Sequence, residues 1–187
     1  MTIIGFLIWG IVNLAVAYLV FRRMVRRDYQ RFKRLRPLTT FMELLAVSLY
    51  FGYAWATIPP DWPLFHSSSF RQIIGLPLFV AGFGLGFSHM FWLGMGRAMG
   101  LQVDSLRQPG LYRYTRNPQL VSIGIGILGY LLVWSVPYGW GWFILYWPTF
   151  HWMILSEEEH LLDVFGPEYE RYCMHVPRYF GFPSRGY

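Results

Sequence analysis

An all-α bundle of about five membrane-spanning helices is the fold that this 187-residue sequence predicts, and three observations predict it. Hydrophobic residues make up 55% of the chain and charged residues only 14%, where a soluble domain carries about a quarter. So little charge cannot cover a surface in water, and the apolar excess must face something else. The apolar residues gather in five runs near the roughly 20 residues that a helix needs to cross a bilayer. The 9 Trp and 13 Tyr supply amphipathic rings of the kind that settle at headgroup level. At this length the chain makes one domain, 1–187.

The first helix is expected at about 2–21. No basic n-region precedes it, and Ala15-Val16-Ala17 is a weak match to a signal-peptidase site, so the run reads as an uncleaved span. The second, about 39–59, ends at Pro59-Pro60, and the third covers about 72–93. The fourth, about 118–136, and the fifth, about 139–155, are joined by Val136-Pro137-Tyr138-Gly139 as a tight helical hairpin. Gly124, Gly126 and Gly129 fit GxGxxG, but a dinucleotide loop needs a strand before it. Inside an apolar helix these glycines, like Gly82, Gly84 and Gly86, read as sites of close helix packing. Asn13 and His89 read as interhelical hydrogen-bonding residues. Glu43, early in the second helix, is either functional or a partner of the nearby basic block.

Charge sets the topology. The formal net charge is +6, and eight of the sixteen Lys and Arg lie in one stretch after the first span: Arg22, Arg23, Arg26, Arg27, Arg31, Lys33, Arg34 and Arg36. Juxtamembrane basic clusters contact anionic headgroups and mark the inner side, which argues against nucleic acid as the partner. With the N-terminus outside, the segments 22–38, 94–117 and 156–187 lie inside. They hold every Lys and Arg except Arg71. The chain therefore reads as a multi-pass membrane protein with a cytoplasmic C-terminus. A site for a soluble charged cofactor has to be built from the segments about 94–118 and 156–187, which share the inner face. The five histidines have no metal-ligand spacing, so no metal is expected. Cys173, the one cysteine, reads as a spectator thiol.

Three constellations occupy those segments. In Gly110-Leu-Tyr112-Arg113-Tyr114-Thr-Arg116-Asn117-Pro118-Gln119, Asn117 suits an N-cap and Pro118 the first helical position. The same helix start, with Arg116 beside it, suits a ligand carboxylate. In Ser156-Glu157-Glu158-Glu159-His160, Ser156 and Glu159 match a capping box. Three adjacent carboxylates also call for a cation, either a ligand's ammonium or sulfonium, or Arg116. In Phe165-Gly166-Pro167-Glu168-Tyr169-Glu170-Arg171-Tyr172, followed by Val176-Pro177-Arg178-Tyr179, Gly166 ends one helix and Pro167 starts another. The apolar stripe of that last helix lies on the membrane surface or folds over a site as a lid.

Gly-x-Tyr-Arg-Tyr-x-Arg-[His/Asn]-Pro opening a membrane helix, then Glu-Glu-x-x-Leu-x-x-x-Phe-Gly-x-x-Tyr-x-x-Tyr and Val-Pro, resembles the isoprenylcysteine carboxyl methyltransferases. Their wider superfamily includes the phospholipid methyltransferases and small-thiol methyltransferases. The match runs over Gly110–Pro118 and Glu157–Pro177. The resemblance implies a membrane helix bundle that encloses S-adenosylmethionine, with Tyr112, Arg116, Asn117 and Pro118 bordering it and Glu157 and Glu158 binding it or positioning the substrate; Gln119, next in the motif, joins the cofactor-binding set. The opposed Arg and Glu clusters make Arg116 and Glu158 the catalytic candidates, Arg116 for a carboxylate nucleophile and Glu158 for the proton of an amine or thiol, with a lipophilic methyl acceptor reaching the site from the bilayer. The chain departs from much of the family with Asn117 in place of His and Leu120 in place of Tyr. Asn cannot carry a proton at neutral pH, so proton transfer falls elsewhere, with Glu158 as a candidate. Two other classes are weighed. A reductase related to the sterol reductases would need a basic phosphate cluster that the tail lacks. A non-enzymatic membrane scaffold or lipid-binding protein would make both polar motifs mere caps and anchors.

Overall fold

The structure, a computed structural model, describes residues 2–57, 70–93, 110–134 and 136–181. The expected helix end at Pro59-Pro60, His66, Arg97, Arg107 and Arg185 lie outside them. The described residues form an all-α bundle without strands: α1 Ile3–Phe32, α2 Pro37–Ala56, α3 Phe70–Leu93, a short 3-10 turn Gly110–Arg113, α4 Pro118–Val133, α5 Gly139–Phe165 and α6 Pro167–His175. Among the described residues, two helices are long and apolar enough to cross a membrane, Ile3–Phe32 and Phe70–Phe91, while Pro118–Val133 is apolar but shorter.

Two helices run further than their apolar stretches. α1 passes from Ile3–Ala17 through a π-helical stretch, Tyr18–Val25, into Arg26–Phe32, so most of the basic block is helix. The expectation of an end near 21 follows hydropathy, which reports the solvent. Arg, Gln and Lys are good helix formers and let the backbone continue. α5 likewise passes through Ser156 to Phe165, which overturns the capping-box reading of Ser156 and Glu159.

The corner from α1 to α2 is organised by Asp28, which is 1% exposed. It accepts bonds from the Arg36 backbone N–H and Nε, both at 3.1 Å, and from the Thr39 hydroxyl at 2.6 Å. Lys33 turns the chain there with φ 55°.

An aromatic core joins α1, α2, α4 and α5 around Tyr50, Tyr53, Tyr130, Trp142, Tyr146 and Phe150. Tyr50 donates to the Trp142 carbonyl at 2.8 Å, and Trp142 Nε1 returns a bond to the Tyr50 carbonyl at 3.2 Å. These rings keep their polar tips satisfied inside an apolar layer. Thr149 donates to Asn13 at 2.9 Å, the interhelical bond expected for Asn13. α3 and α4 meet at glycines. A Cβ on Gly82 would lie 2.2 Å from the Gly126 nitrogen, and one on Gly129 would lie 2.2 Å from the Phe79 nitrogen. Side chains are excluded there, and close backbone packing takes their place. Gly84 faces open space and takes no part. The outward faces stay apolar, with Ile4, Leu7, Ile11, Ile73 and Val80 all exposed.

Candidate functional site

The polar residues converge where α4 begins, α5 nears its end and the chain after α6 returns. Gly110, at φ +68°, opens the 3-10 turn, and the Leu111 carbonyl closes the loop by accepting from Tyr114 and Thr115 N–H. Thr115 Oγ1 accepts the Asn117 N–H at 3.1 Å and donates to the Arg178 carbonyl at 3.1 Å. Asn117 Nδ2 donates to that same carbonyl at 3.1 Å, and the Arg116 N–H to the Pro177 carbonyl at 3.0 Å. The segment after α6 is thereby stitched as a strap, 176–181, across the start of α4. Asn117 stands at the cap position, yet its side chain makes no capping bond because the strap takes it. Pro118 occupies the first helical position as expected. Tyr172 of α6 donates to the Tyr112 carbonyl at 2.8 Å and belongs to a small cluster with Tyr169 and Val176. This seats α6 against the loop.

Across from this loop, the three glutamates of α5 point three ways. Glu158 faces the loop and the strap. Its Oε1 is 3.3 Å from Arg116 Nη1, and its Oε2 is 3.0 and 2.7 Å from Arg178 Nε and Nη2. The Glu158 and Arg116 side chains are 11% and 12% exposed, so this is a sheltered charge cluster in which coupling is stronger than in water. The hydrogen bond to Glu158 pushes the Arg178 guanidinium further up. Arg116 also reaches the Cys173 sulfur. Glu159 faces α1 and pairs with Arg22 at 3.0 Å and Arg26 at 2.7 Å. Ser156 supports this clamp: it donates to the Phe21 carbonyl at 2.8 Å and accepts from Arg22 at 3.2 Å. Phe21 lies in the π-helical stretch. Glu157 makes no ion pair or hydrogen bond among the described residues, and burial, then the charge of Glu158, push its carboxyl up to about 7.

Two donors at the start of α4, Arg116 Nε and Gln119 Nε2, are buried without a hydrogen-bond partner. Orphaned donors of this kind are uncommon in folded proteins. Together with the helix N-terminus they fit a ligand carboxylate, while Glu158 opposite fits a ligand cation; Glu157 instead faces Tyr29 and Glu43. Among the described residues, no group of three or more His, Cys, Asp or Glu is placed to hold a metal ion.

All seven residues expected from the sequence lie on the α4 lead-in or this turn of α5. The structure adds Arg178, Arg22 and Arg26. Arg178 sits in the Val176-Pro177-Arg178-Tyr179 motif, and its signal is a cation just past a proline that ends a helix. Nothing local to α1 marks Arg22 and Arg26 among eight basic residues. Glu43 makes no ion pair with the basic block among the described residues.

A model of the phospholipid methyltransferase family matches residues 70–168, 99 of the 187 residues. No curated protein and no solved structure matches the chain. The match takes in both motif-bearing segments, the α4 lead-in with Arg116 and the glutamate turn of α5. On that match, the chain belongs to the phospholipid methyltransferase family.

Proposed function

We propose that this protein transfers a methyl group from S-adenosylmethionine to a lipid-like acceptor at the cytoplasmic face of the membrane. The carrying observation is the 3.3 Å approach of Arg116 to Glu158, residues 42 positions apart that lie in the two segments the charge pattern puts on one side. The family membership supports methyl transfer, and the orphaned donors Arg116 Nε and Gln119 Nε2 support a carboxylate-bearing ligand. Five spans with the N-terminus outside account for the exposed apolar faces and for the placement of fifteen of sixteen basic residues.

Bound S-adenosylmethionine supplies a methyl group on a sulfonium. The protein's part is to hold and desolvate. Arg116, Gln119 and the N-terminus of α4 would hold the carboxylate, Glu158, with Glu157 beside it on the helix, would balance the cationic groups, and Tyr112, Asn117 and Pro118 would shape the loop around them. Because Glu158 is held between two guanidiniums, its assignment here is cofactor binding, and the proton acceptor is sought elsewhere. The candidate acceptors are phospholipid amines, prenylated cysteine carboxylates and quinone-like or isoprenoid lipids, which can enter from the bilayer, and small thiols.

Purified protein incubated with deuteriomethyl-labelled S-adenosylmethionine and a native lipid extract should yield a labelled lipid by mass spectrometry. S-adenosylhomocysteine should bind in calorimetric titration where NADPH does not. A protein that binds neither nucleotide and labels nothing refutes the proposal and leaves the scaffold reading.

A further inference from the structure

α5 carries a second titratable side chain on the stripe that holds Glu158. His151 lies seven residues earlier, two turns and about 10 Å along the axis. Its Nδ1 is 2.6 Å from the Tyr179 hydroxyl, and Tyr179 directly follows Arg178, whose guanidinium holds Glu158. One turn further on, Trp147 packs edge-on against the Tyr179 ring at 5.7 Å and also meets Phe180 at 6.1 Å. The strap therefore follows this stripe from its ionic end to its apolar end, and His151 sits between them. The charged groups within electrostatic reach are Arg178 on the strap, Glu158 on α5 and Arg22 on α1.

Chemistry asks for a group at that depth. An amine, thiol or hydroxyl that takes a methyl group must give up a proton, and both Glu158 oxygens are already engaged by guanidiniums. Imidazole is suited to proton transfer near neutral pH. In the tautomer that donates from Nδ1 to the Tyr179 oxygen, Nε2 keeps its lone pair, and Nε2 has no hydrogen-bond partner among the described residues.

We propose that His151 is the catalytic proton acceptor for a methyl acceptor whose attacking atom carries a proton, with Tyr179 as the positioning residue that fixes the imidazole ring. This rests on the methyl-transfer reading above. The acceptor's lone pair forms the new bond to the methyl carbon, and the carbon–sulfur bond breaks with its electrons on sulfur. The acceptor's proton passes to Nε2, and the imidazolium then releases it to water.

The test measures S-adenosylhomocysteine affinity and the rate of methyl transfer to a native lipid extract from pH 6 to 9, for the wild type, His151→Gln and Tyr179→Phe. His151→Gln should bind S-adenosylhomocysteine within about twofold of the wild type. It should lose roughly 100-fold in rate, and its rate should keep rising with pH where the wild type levels off. Tyr179→Phe should lose roughly fivefold, the worth of one hydrogen bond. It should also move the acid limb to lower pH, because the imidazolium loses the oxygen that accepts from it. The inference is overturned if His151→Gln keeps the wild-type rate and pH profile, or if it loses cofactor affinity together with turnover. A wild type that neither binds S-adenosylhomocysteine nor labels lipid overturns the methyl-transfer reading, and this inference with it.

Discussion

Glu158 and Glu159 are neighbours on one helix, each held by two arginines, yet their surroundings differ in kind. The partners of Glu159, Arg22 and Arg26, stand on the continuous helix α1, and the Glu159 side chain is 40% exposed. The partners of Glu158 come from two irregular segments, the loop before α4 and the strap after α6, and its side chain is 11% exposed. A helix holds its side chains at fixed spacing, so the Glu159 clamp acts as a brace that sets the rotation of α5. A loop and a strap have no such ladder and can part to admit a ligand. Two carboxylates with the same composition of neighbours can thus serve opposite ends, and what separates them is the backbone that delivers the arginines.

Substitutions on the two sides should separate these roles. The largest effect is expected on the sheltered side. Glu158→Gln or Arg116→Ala should weaken S-adenosylhomocysteine binding roughly 100-fold, in line with about 2–3 kcal/mol for a buried charge-assisted contact, and titration calorimetry measures it. Retention of wild-type affinity and turnover by both variants would undo the contrast. Arg178→Ala should cost less, about tenfold in affinity, because Arg116 still faces Glu158 while the strap loses its side-chain anchor.

Glu157 belongs to neither side. Its folded-state pKa of about 7 lies above the usual 4.5, so the fold disfavours the ionised form. That penalty is absent below about pH 4.5 and complete above about pH 7. Glu157→Gln should therefore raise the apparent Tm at pH 8 by several degrees more than at pH 5. An equal shift at both pH values would show that ionisation is not the cause. The smallest effect is expected from Glu159→Gln: a fall of about 1–2 °C in apparent Tm, since exposed ion pairs contribute under about 1 kcal/mol, with cofactor affinity unchanged.

Much of this was legible in the sequence, and the failures have physical causes. Apolar runs placed α3 and the start of α4 within two residues, because a bilayer selects strongly for length and polarity. They misplaced the ends of α1 and α5, where the chain leaves apolar surroundings and stays helical. Arg116 could be set against the glutamate run because charge bias assigned their segments to one face. The partner of each glutamate could not be read, since it depends on the rotation of α5 against α1, and a three-residue run in a helix points in three directions. The Asn117 cap failed for a similar reason: its Nδ2 donates to a carbonyl 61 residues away in the chain, that of Arg178, and in that orientation its oxygen makes no bond to the local N–H groups.

The π-helical stretch Tyr18–Val25 carries a consequence for length variation. Stretches of this kind accommodate an extra residue within a helix. Deleting that extra residue would let α1 wind regularly while the residues on either side kept their facing, so Arg26 would still reach Glu159 and Tyr29 would still stack on His160. Deleting a residue from the regular helix before it would instead turn the two ends of α1 against each other by about 100°. A gap at the π-helical stretch in a related chain is therefore compatible with an intact grip on the glutamate turn, and a gap earlier in α1 is not.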